Sequence, residues 1–165
     1  MYFSHIINKG TSEVFDVLGP TIQFLTSPIE REAVYCVMKG TIPAGYSVPL
    51  HSHPDDESFY ILSGMVEAMV QIDSNRNWTY MEPGDFVHIP SDVRHAWRNN
   101  YAEPVEGLII ATPRLGKFFQ EIARPVTPGE PLSPSPGQLQ HFMKVAERYH
   151  HWLANPDENA AIGIF

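Results

Sequence analysis

Three side chains that commonly bind metal ions lie within seven residues of one another: His51, His53 and Glu57. On a β-strand, residues two apart point to the same face, so the imidazoles of His51 and His53 can reach one ion. Glu57 keeps the same parity, although Pro54 is expected to interrupt the strand. Two imidazoles and one carboxylate form a ligand set suited to Fe(II), Mn or Zn.

His95 is the candidate fourth ligand, because it follows a proline turn at the expected start of another strand. Asp55 and Asp56 are competing carboxylates, but both spacing and parity favour Glu57. We therefore expect the two aspartates in a solvated loop near the mouth of the site. A supporting role beside the ligands stays open for them.

Two stretches of the chain resemble the two signature motifs of the cupin superfamily. The first motif is matched at every marked position, by Gly45, His51, His53, Glu57 and Gly64. The second is matched by Gly84, Pro90, His95 and Asn99. Asp92 stands where the family has glycine. Because aspartate tolerates a positive φ better than most residues, the turn at Asp92 is still expected to form.

The resemblance implies a fold dominated by β-strands, a small double-stranded β-helix or jelly-roll barrel. It also implies one divalent transition metal inside that barrel, bound by His51, His53, Glu57 and His95. The metal is left open among Fe, Mn, Ni, Cu and Zn. The C-terminal part of the chain resembles an extension found in single-domain cupins of the quercetin-dioxygenase-like subgroup.

Short apolar runs separated by turn residues predict strands over residues 21–25, 33–42, 57–62, 66–72, 77–81, 85–89, 96–99 and 105–111. Helical spacing of apolar residues predicts helices over 114–124 and 137–154. Five of the twelve residues in 125–136 are proline, which favours a stiff link there. We thus expect a barrel over 1–112 with its metal-binding core at 45–99, and a two-helix cap over 113–165.

Alternation along the strands makes Phe59, Ile61, Phe86 and Trp97 candidates for the pocket lining, with plain barrel core as the alternative for each. His88 shares this alternation and lies among apolar residues, where a buried imidazole needs a polar partner. It is the candidate acid–base group.

Three functions fit such a site. The leading hypothesis is a metal-dependent dioxygenase acting on a small aromatic or enol-type molecule, because the donor set leaves coordination positions for substrate and O₂. The second is a non-redox isomerase, cyclase or lyase that uses the metal as a Lewis acid. The third is a binding protein that holds a small molecule without turnover.

Charge and composition exclude several other classes. The 165-residue chain has a formal net charge of −8 and no basic stripe, so neither nucleic acid nor an anionic membrane is an expected partner. The single cysteine, Cys36, rules out an internal disulfide and is expected to be a buried apolar residue. No secretory signal is apparent at the N-terminus, so a cytoplasmic location is expected. A homodimer is expected from the resemblance, with Tyr2, Phe3 and the apolar C-terminus as candidate cover for exposed edges.

Overall fold

The computed structural model describes residues 6–8, 10–29, 33–71, 77–126 and 134–165. Its strands are β1 (Phe15–Asp16), β2 (Thr21–Phe24), β3 (Cys36–Ile42), β4 (Ser47–Ser52), β5 (Glu57–Ser63), β6 (Val66–Val70), β7 (Trp78–Met81), β8 (Phe86–Ile89), β9 (His95–Arg98), β10 (Val105–Ala111), β11 (Arg124–Pro125) and β12 (Trp152–Leu153). Its helices are α1 (Pro113–Ile122), α2 (Pro136–Arg148) and α3 (Pro156–Ala160).

The strands form two sheets in which hydrogen-bonded neighbours run antiparallel. The larger sheet has the order β11-β1-β2-β3-β10-β5-β8, and the smaller has the order β12-β4-β9-β6-β7. All eight predicted strands are present, as β2, β3 and β5 to β10, with small shifts at their ends. The strand β4, which carries His51, was not among them.

The two sheets face each other across an apolar core. Its members come from both sheets: Ile61, Val66, Ala68, Met81, Ile89, Trp97 and Val105. Because side chains alternate across a strand, every second residue of β5, β6 and β9 enters this core. The burial of these side chains fixes the register of the strands that carry the candidate ligands.

The helices of the C-terminal extension cover another part of the larger sheet. Leu115 and Phe118 of α1, and Val145 of α2, are buried in one cluster with Cys36 and Met38 of β3. The apolar faces of both helices therefore pack against the barrel. Cys36 is buried as expected, and burial raises the pKa of its thiol.

The apolar C-terminus packs against the same barrel. Ile162 and Ile164 are buried with Leu50 on the outer face of the smaller sheet. The indole Nε1 of Trp78 donates a hydrogen bond to the Ile162 carbonyl at 2.9 Å. The last residues of the chain therefore cover a sheet face of their own barrel. The homodimer stays a prediction, and Tyr2 and Phe3 lie outside the described residues.

The second helix ends earlier than predicted. The spacing predicts a helix to residue 154, whereas α2 ends at Arg148 and Trp152–Leu153 forms a strand against β4. The amide of His150 donates to the Glu147 carbonyl and the amide of His151 donates to the Ala146 carbonyl. These two bonds form a Schellman motif, which needs a left-handed residue after the helix, and His150 has φ = 60°.

The extension is therefore more than the predicted two-helix cap. It adds a third helix, α3, and it contributes one strand to each sheet, β11 to the larger and β12 to the smaller. Residues 127–133 of the predicted proline-rich link lie outside the described residues. Within the described residues, no helix has the length and apolar character needed to cross a membrane.

The turn at Asp92 confirms the expectation from sequence. Asp92 has φ = 63°, so aspartate takes the left-handed conformation that glycine has in the family. At Gly64 the glycine itself is required, since φ is 75° and an added Cβ would lie 2.3 Å from the Pro104 carbonyl oxygen.

Replacing His150 with glycine tests the helix ending. A non-glycine residue in the left-handed region is strained by about 1–2 kcal/mol. Glycine relieves this strain, but the extra entropy that glycine loses on folding offsets roughly half of the gain. His150→Gly is expected to raise the free energy of unfolding by about 0.5–1 kcal/mol in urea titrations. The matched control is Glu147→Gly inside α2, which should lower it by about 1 kcal/mol. Destabilisation by His150→Gly would contradict the left-handed ending.

Candidate metal centre

A β-bulge in β4 turns His51 into the barrel. Val48 pairs with Trp97 and His51 pairs with His95, so three steps along β4 match two along β9. Without the extra residue, Val48 and His51 would point to opposite faces. Pro49 lies inside the bulge, where its missing amide breaks no ladder bond. The bulge thereby places His51 beside His95, with ring centres 4.2 Å apart.

The other two ligand candidates approach from the loop after β4 and from the larger sheet. His53 and Glu57 are both 3% exposed, and His95 is 1% exposed. The Glu57 Oε2 atom lies 3.4 Å from His53 Nε2 and 3.7 Å from His95 Nε2. The four candidates thus come together from β4 and β9 of the smaller sheet, from β5 of the larger sheet and from the loop between β4 and β5.

Three backbone carbonyls fix how the imidazoles are protonated. The Nδ1 atoms of His51, His53 and His95 lie 2.7, 3.0 and 2.9 Å from the carbonyl oxygens of Pro49, Asp55 and Val93. A carbonyl can only accept, so each Nδ1 carries a proton, and each Nε2 keeps its lone pair whenever the ring is neutral. Backbone acceptors of this kind are the usual way to orient a metal-binding histidine.

The lone pairs converge on a shared point. The ligand atoms of His51, His53 and His95, here called the histidine cluster, all lie within 4.8 Å of one another. Two nitrogens bound at about 2.1 Å to one ion can be up to about 4.2 Å apart, so small side-chain shifts would suffice. His95 Nε2 is buried and has no hydrogen-bond partner among the described residues. A bound cation would give this buried nitrogen a partner.

The pKa values show how tightly these groups interact. Burial, and then repulsion from His95 and His53, hold the pKa of His51 well below its usual range. Burial also opposes the charge of Glu57, but attraction to the nearby imidazoles of His53 and His95 outweighs it and lowers the pKa of Glu57 to about 2. For His53, burial favours the neutral ring, and the Glu57 carboxylate overcomes it and raises the pKa. Glu57 is therefore an anion at neutral pH, as a metal ligand must be.

Aromatic side chains lie next to the cluster inside the barrel. Phe59 and Trp97 follow Glu57 and His95 by two residues on their strands, and their ring centres are 4.4 Å apart. Ile61 is buried in the same core. Phe59, Ile61 and Trp97 therefore point into the barrel, and their role as a pocket lining stays a prediction.

His88 and Phe86 point the other way. In the antiparallel pair of β5 and β8, Glu57 is opposite Ile89, and Ser58 is opposite His88. Opposite residues share a face, so Ile89 points inward and His88 outward, where its Nδ1 lies 3.0 Å from Ser58 Oγ. Phe86 is 58% exposed. The structure thus places both His88 and Phe86 on the outer face of the sheet. The prediction assigned the even-numbered residues of β8 to the interior, whereas the odd-numbered residues point inward.

Asp55 differs from the expected solvated loop residue. It is 4% exposed, and its carboxylate accepts hydrogen bonds from Thr112 and Arg114. Because the Asp55 carbonyl orients His53, these bonds join the metal-binding loop to the start of α1. Asp56 is exposed as expected and accepts from the Ser91 amide.

His151 is a neighbour of the cluster that the sequence did not indicate. Its ring centre lies 5.2 Å from that of His53. Burial lowers its pKa to about 4, and so does repulsion from His53. The only signal in sequence was the apolar run that follows it, which forms β12 and pairs with β4.

Cavities of appreciable size lie away from the cluster. One of about 350 Å³ lies between α1 and the start of α2, beside Asp16 and Arg124. A shallower depression of about 250 Å³ borders Val93 and Arg94. Of the four ligand candidates, His51 is partly exposed, whereas His53, Glu57 and His95 are buried.

Residues 38–111 match the family model Cupin_2, a cupin domain. This match supports the cupin superfamily. A curated relative, dimethylsulfoniopropionate lyase DddQ of Ruegeria pomeroyi, is 36% identical over 69 residues, which are 42% of this chain and 32% of that protein. The chain thus spans about a third of the length of the curated relative that it matches.

Solved structures agree on the fold. The polyketide cyclase RemF of Streptomyces resistomycificus matches with a TM-score of 0.60 at 16% identity, over 67% of this chain and 80% of that one. KdgF of a Halomonas species matches with a TM-score of 0.58 at 14% identity, over 67% and 94%. At these identities the likeness concerns the fold alone. The predicted jelly-roll fold is confirmed, and the quercetin-dioxygenase-like subgroup stays a prediction.

Acidification of the metal-free protein tests the environment of Glu57. The folded pKa of Glu57 is about 2, against an ordinary value of 4.5. Glu57 therefore stabilises the fold above pH 4.5, and this contribution is lost as the pH falls from 4.5 towards 2. Urea unfolding at pH 6 and pH 3 should show a smaller acid loss in Glu57→Gln than in the wild type. Glu147→Gln, on the exposed side of α2, should behave like the wild type. An equal acid loss in Glu57→Gln would show that Glu57 is not paired.

Proposed function

We propose that this protein is a metal-dependent lyase acting on a small organic molecule, with one divalent transition metal bound by His51, His53, Glu57 and His95. The observation that carries the proposal is the convergence of three imidazoles, each with Nδ1 bonded to a carbonyl, on a buried and ionised carboxylate. Such an arrangement is costly without a cation, because it buries lone pairs and a charge together.

The donor set fits the metal class predicted from sequence. Three nitrogens and one oxygen suit Fe, Mn, Ni, Cu or Zn, and they leave coordination positions free. When bound, such an ion would supply Lewis-acid polarisation of a substrate oxygen. The chain's own part is to orient the ligands through the carbonyls of Pro49, Asp55 and Val93, and to keep water away on the side of Phe59 and Trp97.

The choice of a lyase rests on the curated relative, which is named as one and shares 36% identity over the matched residues. This differs from the leading hypothesis from sequence, a dioxygenase. The dioxygenase stays the second candidate, because the same donor set leaves room for O₂ beside a substrate. With His88 on the outer face, the acid–base role predicted for it receives no support from the geometry.

Metal content tests the ligand assignment. Protein with His51→Ala or His95→Ala should lose most of its metal, with affinity reduced at least tenfold, and keep its β-sheet circular dichroism. His88→Ala is the matched control, since it removes an exposed histidine from the outer face, and it should keep about one metal per chain. Inductively coupled plasma mass spectrometry on untagged protein gives the stoichiometry. Retention of stoichiometric metal by both cluster variants would refute the assignment.

Product formation with and without oxygen tests the chemistry. Dimethylsulfoniopropionate and other small carboxylates are the first substrates to try, and a lyase should release its product equally well in air and under argon. Removal of the metal should abolish this activity, and its return should restore it. Oxygen uptake that depends on substrate would instead show the dioxygenase. Thermal stabilisation by a carboxylate without any product would show a binding protein.

A further inference from the structure

The C-terminal extension brings one more imidazole to the candidate metal centre. The His151 ring lies 5.2 Å from the His53 ring and stacks on Phe118 at 4.0 Å. Its Nε2 atom is buried and has no hydrogen-bond partner among the described residues. A buried nitrogen of this kind normally has a partner, which an added ligand or ordered water could supply.

The backbone around His151 is held from several sides. The left-handed His150 ends α2 and sets the direction of the chain. Directly after His151, β12 pairs with β4, and Leu153 is opposite His51. The position of the ring is therefore coupled to the strand that carries a ligand candidate.

Arg114 links the same turn to the metal-binding loop. Its guanidinium donates to the Asp55 carboxylate and to the Tyr149 carbonyl, two residues before His151. Asp55 in turn orients His53 through its own carbonyl. Since Arg114 and Asp55 neutralise each other, this link adds no net charge beside the cluster.

The charge of the centre points to the class of ligand. Three neutral imidazoles, the Glu57 carboxylate and a divalent ion would carry a net charge of about +1, from +2 and −1. A net charge in a buried site is unfavourable, so a ligand with one negative charge would complete it. An N–H donor near the metal is suited to the second oxygen of a small carboxylate.

We propose that His151 positions the substrate, by donating a hydrogen bond from its side chain to a small organic carboxylate bound at the metal. This inference rests on the proposed function and names the substrate class of the same site. His151 acts as a specificity-determining residue supplied from outside the barrel sheets. A dioxygenase reaction on a small carboxylate would use it in the same way.

The alternative role for His151 is packing alone, as a flat ring stacked on Phe118. The two roles differ in what His151→Phe does, because phenylalanine keeps an aromatic ring and loses both nitrogens. They differ also in His151→Asn, which restores an N–H donor without the ring.

The experiment uses the full chain loaded with Co(II), with propionate as the probe. Changes in the visible Co(II) spectrum on titration give the dissociation constant for propionate. His151→Phe should keep one Co(II) per chain and a thermal midpoint close to that of the wild type, while its dissociation constant rises about tenfold. His151→Asn should recover part of that loss. His141→Phe, an exposed histidine-to-phenylalanine change on α2, should bind propionate like the wild type.

Three other results would contradict the proposal, and they can be told apart. If His151→Phe binds propionate as tightly as the wild type, the packing role is correct and the proposed metal function stands. If the wild type binds Co(II) but propionate leaves its spectrum unchanged, the carboxylate class is wrong. If the wild type binds no Co(II), the proposed function and the role of His151 fail together.

Discussion

A carboxylate with almost no exposure to water must be surrounded by groups that favour its charge, and Glu57 meets this requirement through His53 and His95. Desolvation alone would push Glu57 towards the neutral acid, but attraction to the two imidazoles keeps it ionised. Those imidazoles are themselves buried, so their other nitrogens also need partners. The protein groups around the site supply these partners.

Most of these partners belong to the backbone. The carbonyls of Pro49, Asp55 and Val93 accept hydrogen bonds from the Nδ1 atoms, and a bulge in β4 turns His51 inward. The bulged residue Leu50 then has backbone groups that do not face β9, and the C-terminal tail satisfies them. Asn159 accepts from the Leu50 amide, and the Ala154 amide donates to the Leu50 carbonyl. The extension is thus part of what holds His51 in place.

A protein named as a cyclase shares this fold, and a protein named as a lyase shares part of this sequence, so neither likeness by itself selects a reaction. Selection must come from groups around the metal ligands. In this chain these groups are the aromatic pair Phe59 and Trp97 inside the barrel and His151 from the extension. A barrel that receives part of its site from a separate segment can change its substrate by changing that segment, while its metal ligands stay the same.

The sequence by itself determined eight of the strands but not β4. It also determined the inward direction of Phe59, Ile61 and Trp97, and the proximity of His51, His53, Glu57 and His95. It could do so because the alternation of buried side chains and the spacing of the two motifs are local properties. It also predicted the left-handed turn at Asp92, since that depends on one residue type. The face of His88 was missed because parity in β8 is set by its pairing with β5, through which Ile89 lies opposite Glu57. The places of Asp55 and His151 were decided only by tertiary structure. Asp55 pairs with Arg114, and His151 lies beside His53, and both partners are far away in the chain. No local sequence pattern shows which distant residue will become the neighbour of a buried side chain.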